Sequence, residues 1–288
     1  MNFNNHPLAS GLYFVATPIG SARDITLRAL DILASADVLA AEDTRSVRKL
    51  MDIHGILLGG RPLLVYHDHS GARVRQRLMA DLGAGRSIAY ASEAGTPLVS
   101  DPGFGLARAA AEAGHKITSA PGASAVLAAL TIAGLPTDAF FFAGFLPNTQ
   151  TARQKRLAEL KDVPGTLVFY ESPKRLGAML RDAATALGGD RQAAMCRELT
   201  KRFESIRRDT LGALAAEFAD TSVKGEVVVL VDRGCSEKLK SSDIILDLSR
   251  AMQEMSVKDA ADLVSKAHGL PRRKVYQLAL KLGKGVGT

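Results

Sequence analysis

The chain has 288 residues, 47% of them hydrophobic, 23% charged and 5% aromatic, without tryptophan, and carries a net charge of +7. That length suits two domains, each able to bury its own core; the scarce aromatics exclude an extended base-stacking platform, and the positive charge favours a polyanionic partner or simple solubility. Two cysteines without a Cys-x-x-Cys spacing exclude a disulfide framework, and the absence of a signal-peptide pattern or a bilayer-length apolar run predicts a soluble, cytoplasmic protein with no membrane partner.

In chain order, residues 12–16 read as a strand and 24–34 as a helix with Ile25, Leu27, Ala29, Leu30 and Leu33 biased to one side. Short strands follow at 38–41, 63–66, 87–91 and 117–119, with helical patterns at 45–53, 72–82, 104–113 and 124–133. This alternation predicts a mostly parallel sheet covered on both faces, with ligands bound at the carboxyl ends of its strands. Gly134 and the LPTD that follows mark a boundary, giving an N-terminal domain over 1–134. The next block, 135–234, has strands at 140–145, 167–170, 193–197, 204–207 and 227–232 and helices at 153–161, 175–187 and 211–218. Strands that succeed one another without a helix imply antiparallel pairing, hence a mixed α/β domain.

A Ser- and Lys-rich linker at 235–242 opens the tail, 235–288, where SVKDAADLVSKAHG and PRRKVYQLALKL read as two helices joined by a turn at Gly269. Ser256 with Asp259 forms a capping pattern, and Pro271 suits a first helical turn. Arg272, Arg273 and Lys274 open the second helix, where a helix-turn-helix presents groups to nucleic acid. The alternative is a helical pair with a solvated basic face.

Three strand exits are unusually rich in Gly and Pro: Thr17-Pro18-Ile19-Gly20, SEAGTPLVSDPG over 92–103, and APGAS over 120–124. Glycine lets backbone approach a ligand, and proline lowers the entropy lost on ordering the loop. None is a phosphate-binding loop with Gly-Lys-Ser/Thr, and none is Gly-x-Gly-x-x-Gly, so nucleoside triphosphate and dinucleotide sites are disfavoured. Each alone is ordinary turn chemistry; three at the carboxyl ends of one sheet favour a composite pocket. His67-Asp68-His69 places two imidazoles on one side of an extended segment, but zinc needs three or four ligands and no further cluster accompanies them, so no metal is expected.

Read together, LYFVATPIGSARDITLRALDILASADVLAAEDTR, HDHS, SEAGTPLVSDPG, APGASAVLAALTIAGLP, GFLP, FYESPKRL, RELTKRFE and GEVVVLV occur in an order that closely resembles the ribosomal RNA small subunit methyltransferase I family, a branch of the tetrapyrrole methylase superfamily. The resemblance covers about residues 12–232. It implies the two-domain α/β fold of a class III S-adenosylmethionine methyltransferase with a small helical tail, usually a homodimer. It also implies 2′-O-methylation of a cytidine ribose in the decoding region of 16S rRNA in the small ribosomal subunit. The cofactor, S-adenosyl-L-methionine, would then be lined by Pro18, by Gly95, Thr96, Pro97 and Val99, by Ser124 and Ala125, and by Tyr170 and Val227. The sequence departs from the branch in carrying Glu93 where Asp is usual and Ala123 where Pro is common.

Such a transfer needs the ribose oxygen in line with the sulfur–methyl bond and a group to take its proton or stabilise its charge. Asp43, Glu93 and Lys201 are the candidates. Asp43 is also a natural helix cap, with Arg45 beside it for a phosphate. Lys174 and Arg175 after one strand, and Lys201 and Arg202 between two others, are either solvated charges or RNA contacts, Lys201 at a developing alkoxide. Competing readings are a tetrapyrrole methylase, which leaves AEDTR and ESPKRL unexplained, and a non-catalytic RNA-binding or ribosome-assembly protein.

Overall fold

The computed structural model describes residues 2–67, 72–221, 223–233, 241–268 and 270–284. It separates into two compact units, residues 1–232 and 233–288.

The first unit begins β1 (Gly11–Val15), α1 (Leu27–Ser35), β2 (Val38–Ala41), α2 (Thr44–Ile53), β3 (Leu63–Val65), α3 (Ala72–Gly83), β4 (Ser87–Ala91), α4 (Phe104–Glu112), β5 (Ile117–Ala120) and α5 (Ala125–Ala133). The strands form one parallel sheet in the order β3-β2-β4-β1-β5. Their alternation sorts the core. Tyr13, Val15, Leu39, Ala41 and Ala89 pack with α1 and α2 on one face. Leu12, Phe14, Ala40, Ile88 and Tyr90 pack with α3 and α4 on the other. Apolar side chains on both faces explain why these strands are continuous hydrophobic runs. Helix α1 starts at Leu27 rather than 24, because the Thr26 hydroxyl accepts from the Ala29 amide at 3.2 Å and caps it there.

The chain continues β6 (Phe140–Phe145), α6 (Gln150–Glu159), β7 (Thr166–Glu171), α7 (Leu176–Leu187), β8 (Gln192–Arg197), β9 (Ser205–Thr210), α8 (Leu211–Glu217) and β10 (Val227–Val231). This second sheet runs β6-β7-β10-β8-β9, with only β6 and β7 parallel. The boundary expected at 134 is where the chain changes sheets, but it does not separate two independent cores. Val126, Ala129, Leu130 and Ala133 of α5 pack against Val168, Ala194, Val228 and Leu230 of the second sheet. The sequence AVLAALTIA is apolar nearly all round, so this helix buries its second face against the neighbouring sheet.

The second unit holds α9 (Ser241–Glu254), α10 (Val257–Ala267) and α11 (Arg272–Lys284), around Leu248, Ala251, Ala260, Ala261, Val264, Val275 and Ala279. Helix α9 was not expected. The linker pattern is followed directly by helical spacing at Ile244, Leu248 and Ala251, and its Ser and Lys masked the start. The Ser256 hydroxyl accepts from the Asp259 amide at 3.2 Å, the cap expected of α10. The expected turn at Gly269, and residues 235–240 of the linker, lie outside the described residues. No helix among those residues is long and apolar enough to cross a membrane.

Candidate functional site

The three constrained loops leave β4, β1 and β5, which are neighbours in the sheet, and the AEDTR segment leaves β2, the next strand along. Hydrogen bonds knit them. Thr17 and Gly95 exchange two backbone bonds of 2.9 Å, an antiparallel bridge between loops of parallel strands. Buried Ser92 donates to the Gly95 carbonyl at 2.5 Å and shares a 3.1 Å bond with the Thr17 hydroxyl. Thr96 donates to the Ala123 carbonyl at 3.0 Å, joining the second loop to the third. Gly95 has φ +82°, and a Cβ there would lie 3.2 Å from Ile19 Cγ2. Leu98 and Ser100 are held at φ 71° and 59° although neither is glycine. From the second sheet, Thr200 Oγ1 accepts from the Ser21 amide at 3.2 Å.

These loops wall a cavity of about 480 Å³ closed from the other side by the ends of β7 and β10. Gly95, Thr96, Val99, Ser124 and Ala125 line it, with Tyr170 and Val227 opposite. Pro18 and Pro97 do not. Pro97 is buried under its loop, where its fixed φ shapes the backbone, and Pro18 lines a smaller neighbouring cavity. Tyr170 is set by Phe142 and Phe145, with ring centroids 4.9 and 5.7 Å away.

The cavity is acidic. Glu93, Asp101, Glu171 and Glu226 line it, and among the described residues no Lys, Arg or His does. Burial, reinforced by the nearby charges of Glu42 and Glu93, raises Asp101 to about 6. Its Oδ2 is buried and has no hydrogen-bond partner among the described residues. Burial also raises Glu171, whose Oε1 accepts from the Ser172 amide at 2.7 Å and faces the Arg175 guanidinium at 3.2 Å. Asp101 escaped the sequence reading because SDPG reads as a turn.

Other expected site residues are engaged elsewhere. Asp43 caps α2, accepting from the Arg45 amide at 2.8 Å, and its carboxylate is forked by the Arg45 guanidinium. Those hydrogen bonds hold it below the ordinary aspartate range, so it is a poor proton acceptor. Lys201 bridges Glu198 and Glu226 at 3.0 and 2.9 Å. Burial opposes its charge, but the bonds to Glu226 and Glu198 prevail and keep its ammonium above the usual lysine range. A charged Lys201 cannot take a proton. Arg175, expected on RNA, turns inward to the Leu146 and Pro147 carbonyls at 2.7 and 3.1 Å and to Asn148 Oδ1, because the chain turns at Ser172–Arg175 beside that loop. Lys174 stays exposed. In the second unit, Arg272 pairs with Asp262 at 2.6 Å, while Arg273 and Lys274 are exposed. Asp68 and His69 lie outside the described residues, among which no three His, Cys, Asp or Glu converge on a metal position.

The class of protein that folds a parallel sheet against a mixed one in this way is given by its family, the tetrapyrrole methylases. Residues 11–215 match the Tetrapyrrole (Corrin/Porphyrin) Methylases, and residues 243–283 match the RsmI C-terminal HTH domain. The fold is similar to that of uroporphyrin-III C-methyl transferase from Thermus thermophilus complexed with S-adenyl homocysteine: TM-score 0.53 and 19% identity, covering 76% of this chain and 96% of that one. Ribosomal RNA small subunit methyltransferase I of Mesorhizobium japonicum is 47% identical over 98% of this chain and 96% of its own. Its counterpart in Vibrio cholerae is 42% identical over 94% of each. The chain belongs to the ribosomal RNA small subunit methyltransferase I family.

Proposed function

We propose that the protein transfers the methyl group of S-adenosylmethionine to the 2′-oxygen of a cytidine ribose in the decoding region of 16S rRNA. The acidic cavity carries this reading. In a chain of net charge +7, four carboxylates and no lysine or arginine line it among the described residues. Glu226 and Glu171 already face Lys201 and Arg175 from outside the cavity, so the ready contact for a cation is the unpartnered Asp101 oxygen. When bound, S-adenosylmethionine supplies an activated methyl on a cationic sulfur. Gly95, Thr96, Val99, Ser124 and Ala125 hold it from one side and Tyr170 and Val227 from the other.

Asp101 takes the ribose proton. It lines the cavity, and a base whose pKa lies near the working pH combines availability with driving force. Lys201, fixed between two carboxylates, steadies the loop beside Glu226. Phosphates are met by exposed cations: Arg45 and Lys174 in the first unit, and Arg272, Arg273 and Lys274 in the second. A second copy of the chain is the fitting cover for edge strand β6, whose Phe140 and Phe141 are 44% and 37% exposed. The site of action is the cytoplasm, with the small ribosomal subunit.

The test is incubation with methyl-labelled S-adenosylmethionine and either small subunits or naked 16S RNA. Label recovered in an alkali-resistant dinucleotide is the expected result. No label with any ribosomal substrate overturns the reading, leaving a non-catalytic RNA-binding protein or a small-molecule methylase.

A further inference from the structure

A second cavity, of about 150 Å³, opens beside the first. One wall is Pro18 and Ala22, from the loop after β1; the other is Val47, Leu50 and Ile53 of α2. Its polar groups include Ser46, Lys49 and Glu93. Glu93 also lines the larger cavity, so the two share a wall. The volume is about half the roughly 300 Å³ at which sites for drug-sized ligands begin, which excludes a macrocycle and suits one small planar ring.

We infer that this cavity is a pocket for the base of the nucleotide being methylated, with Glu93 reading the exocyclic amine of cytosine. The inference rests on the ribose-methylation reading and goes beyond it by assigning the origin of base choice. Apolar walls on both sides suit the two faces of a flat ring. Cytosine presents an amine donor together with carbonyl and ring-nitrogen acceptors; a carboxylate is the natural acceptor for the amine. Lys49 and Ser46 supply donors for the other edge. Uracil carries a carbonyl where cytosine has the amine, and it would set an oxygen against the Glu93 carboxylate. A base seated here leaves its ribose at the shared wall, next to the cavity that Asp101 lines. Arg45 and Arg48, exposed on α2 beside Ser46 and Lys49, lie where the flanking phosphates would run.

The experiment uses the full-length protein and small subunits reconstituted with cytidine or uridine at the target position. The wild type is expected to prefer cytidine by roughly 10- to 100-fold, the scale of one side chain that pairs a base edge. Glu93→Gln, whose amide can donate, is expected to cut that ratio at least tenfold, chiefly by raising methylation of uridine. Ala22→Leu, which fills the pocket, is expected to slow methylation of cytidine at least tenfold while S-adenosylmethionine binding by calorimetry stays within twofold. A wild-type rate in Ala22→Leu, or an unchanged ratio in Glu93→Gln, overturns the pocket. A wild type inert on both templates overturns the methylation reading instead. The pocket is then judged by crystals soaked with cytidine 5′-monophosphate: a base between Ala22 and Val47 supports it, and a base elsewhere or none overturns it.

Discussion

Asp101 carries opposite demands on stability and chemistry. The folded chain raises its pKa to about 6 through burial and through Glu42 and Glu93, against about 4 for an unfolded aspartate. The folded state therefore holds this proton more tightly than the unfolded chain does. Stability from that preference is complete below about pH 4 and is lost as pH rises through about 6. Asp101→Asn should accordingly raise the melting temperature at pH 8 and leave it nearly unchanged at pH 4. Its turnover should fall by about 100-fold or more, the scale of a lost general base, and wild-type kcat should decline below about pH 6, where Asp101 is protonated. A kcat for Asp101→Asn within a few-fold of wild type would remove it from the proton transfer. Gly95 gives a second test at this scale. Its φ of +82° and the 3.2 Å approach to Ile19 make Gly95→Ala costly by about 1–2 kcal/mol, a drop of several degrees in melting temperature. Gly95→Trp should abolish S-adenosylmethionine binding in calorimetry, because an indole fills the cavity this residue lines. Gly95 was legible in the sequence because glycine marks its own backbone. Asp101 was not, since its raised pKa comes first from burial, then from Glu42 on a neighbouring loop and Glu93 on its own, surroundings that only the fold assembles.

At the scale of elements, strand–helix alternation made the parallel sheet legible, and the Gly–Pro exits marked the edge that walls the large cavity. The strand order was not, although it makes those exits neighbours. The order β2-β4-β1-β5 sets AEDTR, SEAGTP, TPIG and APGAS side by side, and Thr17, Ser92 and Thr96 then lock the last three together. Helix α5 was legible as a helix but not as the cover of a second sheet, because apolar residues all round name no partner. The pairing of α6 with α7 was equally hidden. Arg153 and Asp182, 5% and 4% exposed, meet at 2.6 Å, and Gln154 donates to the same carboxylate at 2.9 Å. Arg153→Met would leave Asp182 buried without its cation, at a cost of roughly 3–5 kcal/mol. Replacing both, as Arg153→Met with Asp182→Leu, should recover much of that loss. Chemical denaturation of the two variants checks this, and equal losses would mean that packing rather than charge holds these helices together.

For the whole molecule, the charge distribution divides the labour. The first unit contains every residue that lines the acidic cavity, while the second has its own core and opens α11 with Arg272, Arg273 and Lys274 exposed. The basic tail was legible as a helical pair, yet its third helix, α9, and the core it completes emerged only with the fold. A chain ending at Arg233 retains the complete cavity and the core beneath it, so its affinity for S-adenosylmethionine should stay within about twofold by calorimetry. Binding to 16S RNA should weaken by more than the cofactor affinity does. The dependence of log Kd on log salt should flatten as well, by up to about 0.7 for each lost phosphate contact on single-stranded RNA. The slope separates two roles for the tail that affinity alone would confuse. If the tail only stabilises the first unit, cofactor and RNA affinity fall together with the melting temperature and the salt slope is unchanged. If its cations meet phosphates, the slope falls while the cofactor affinity holds.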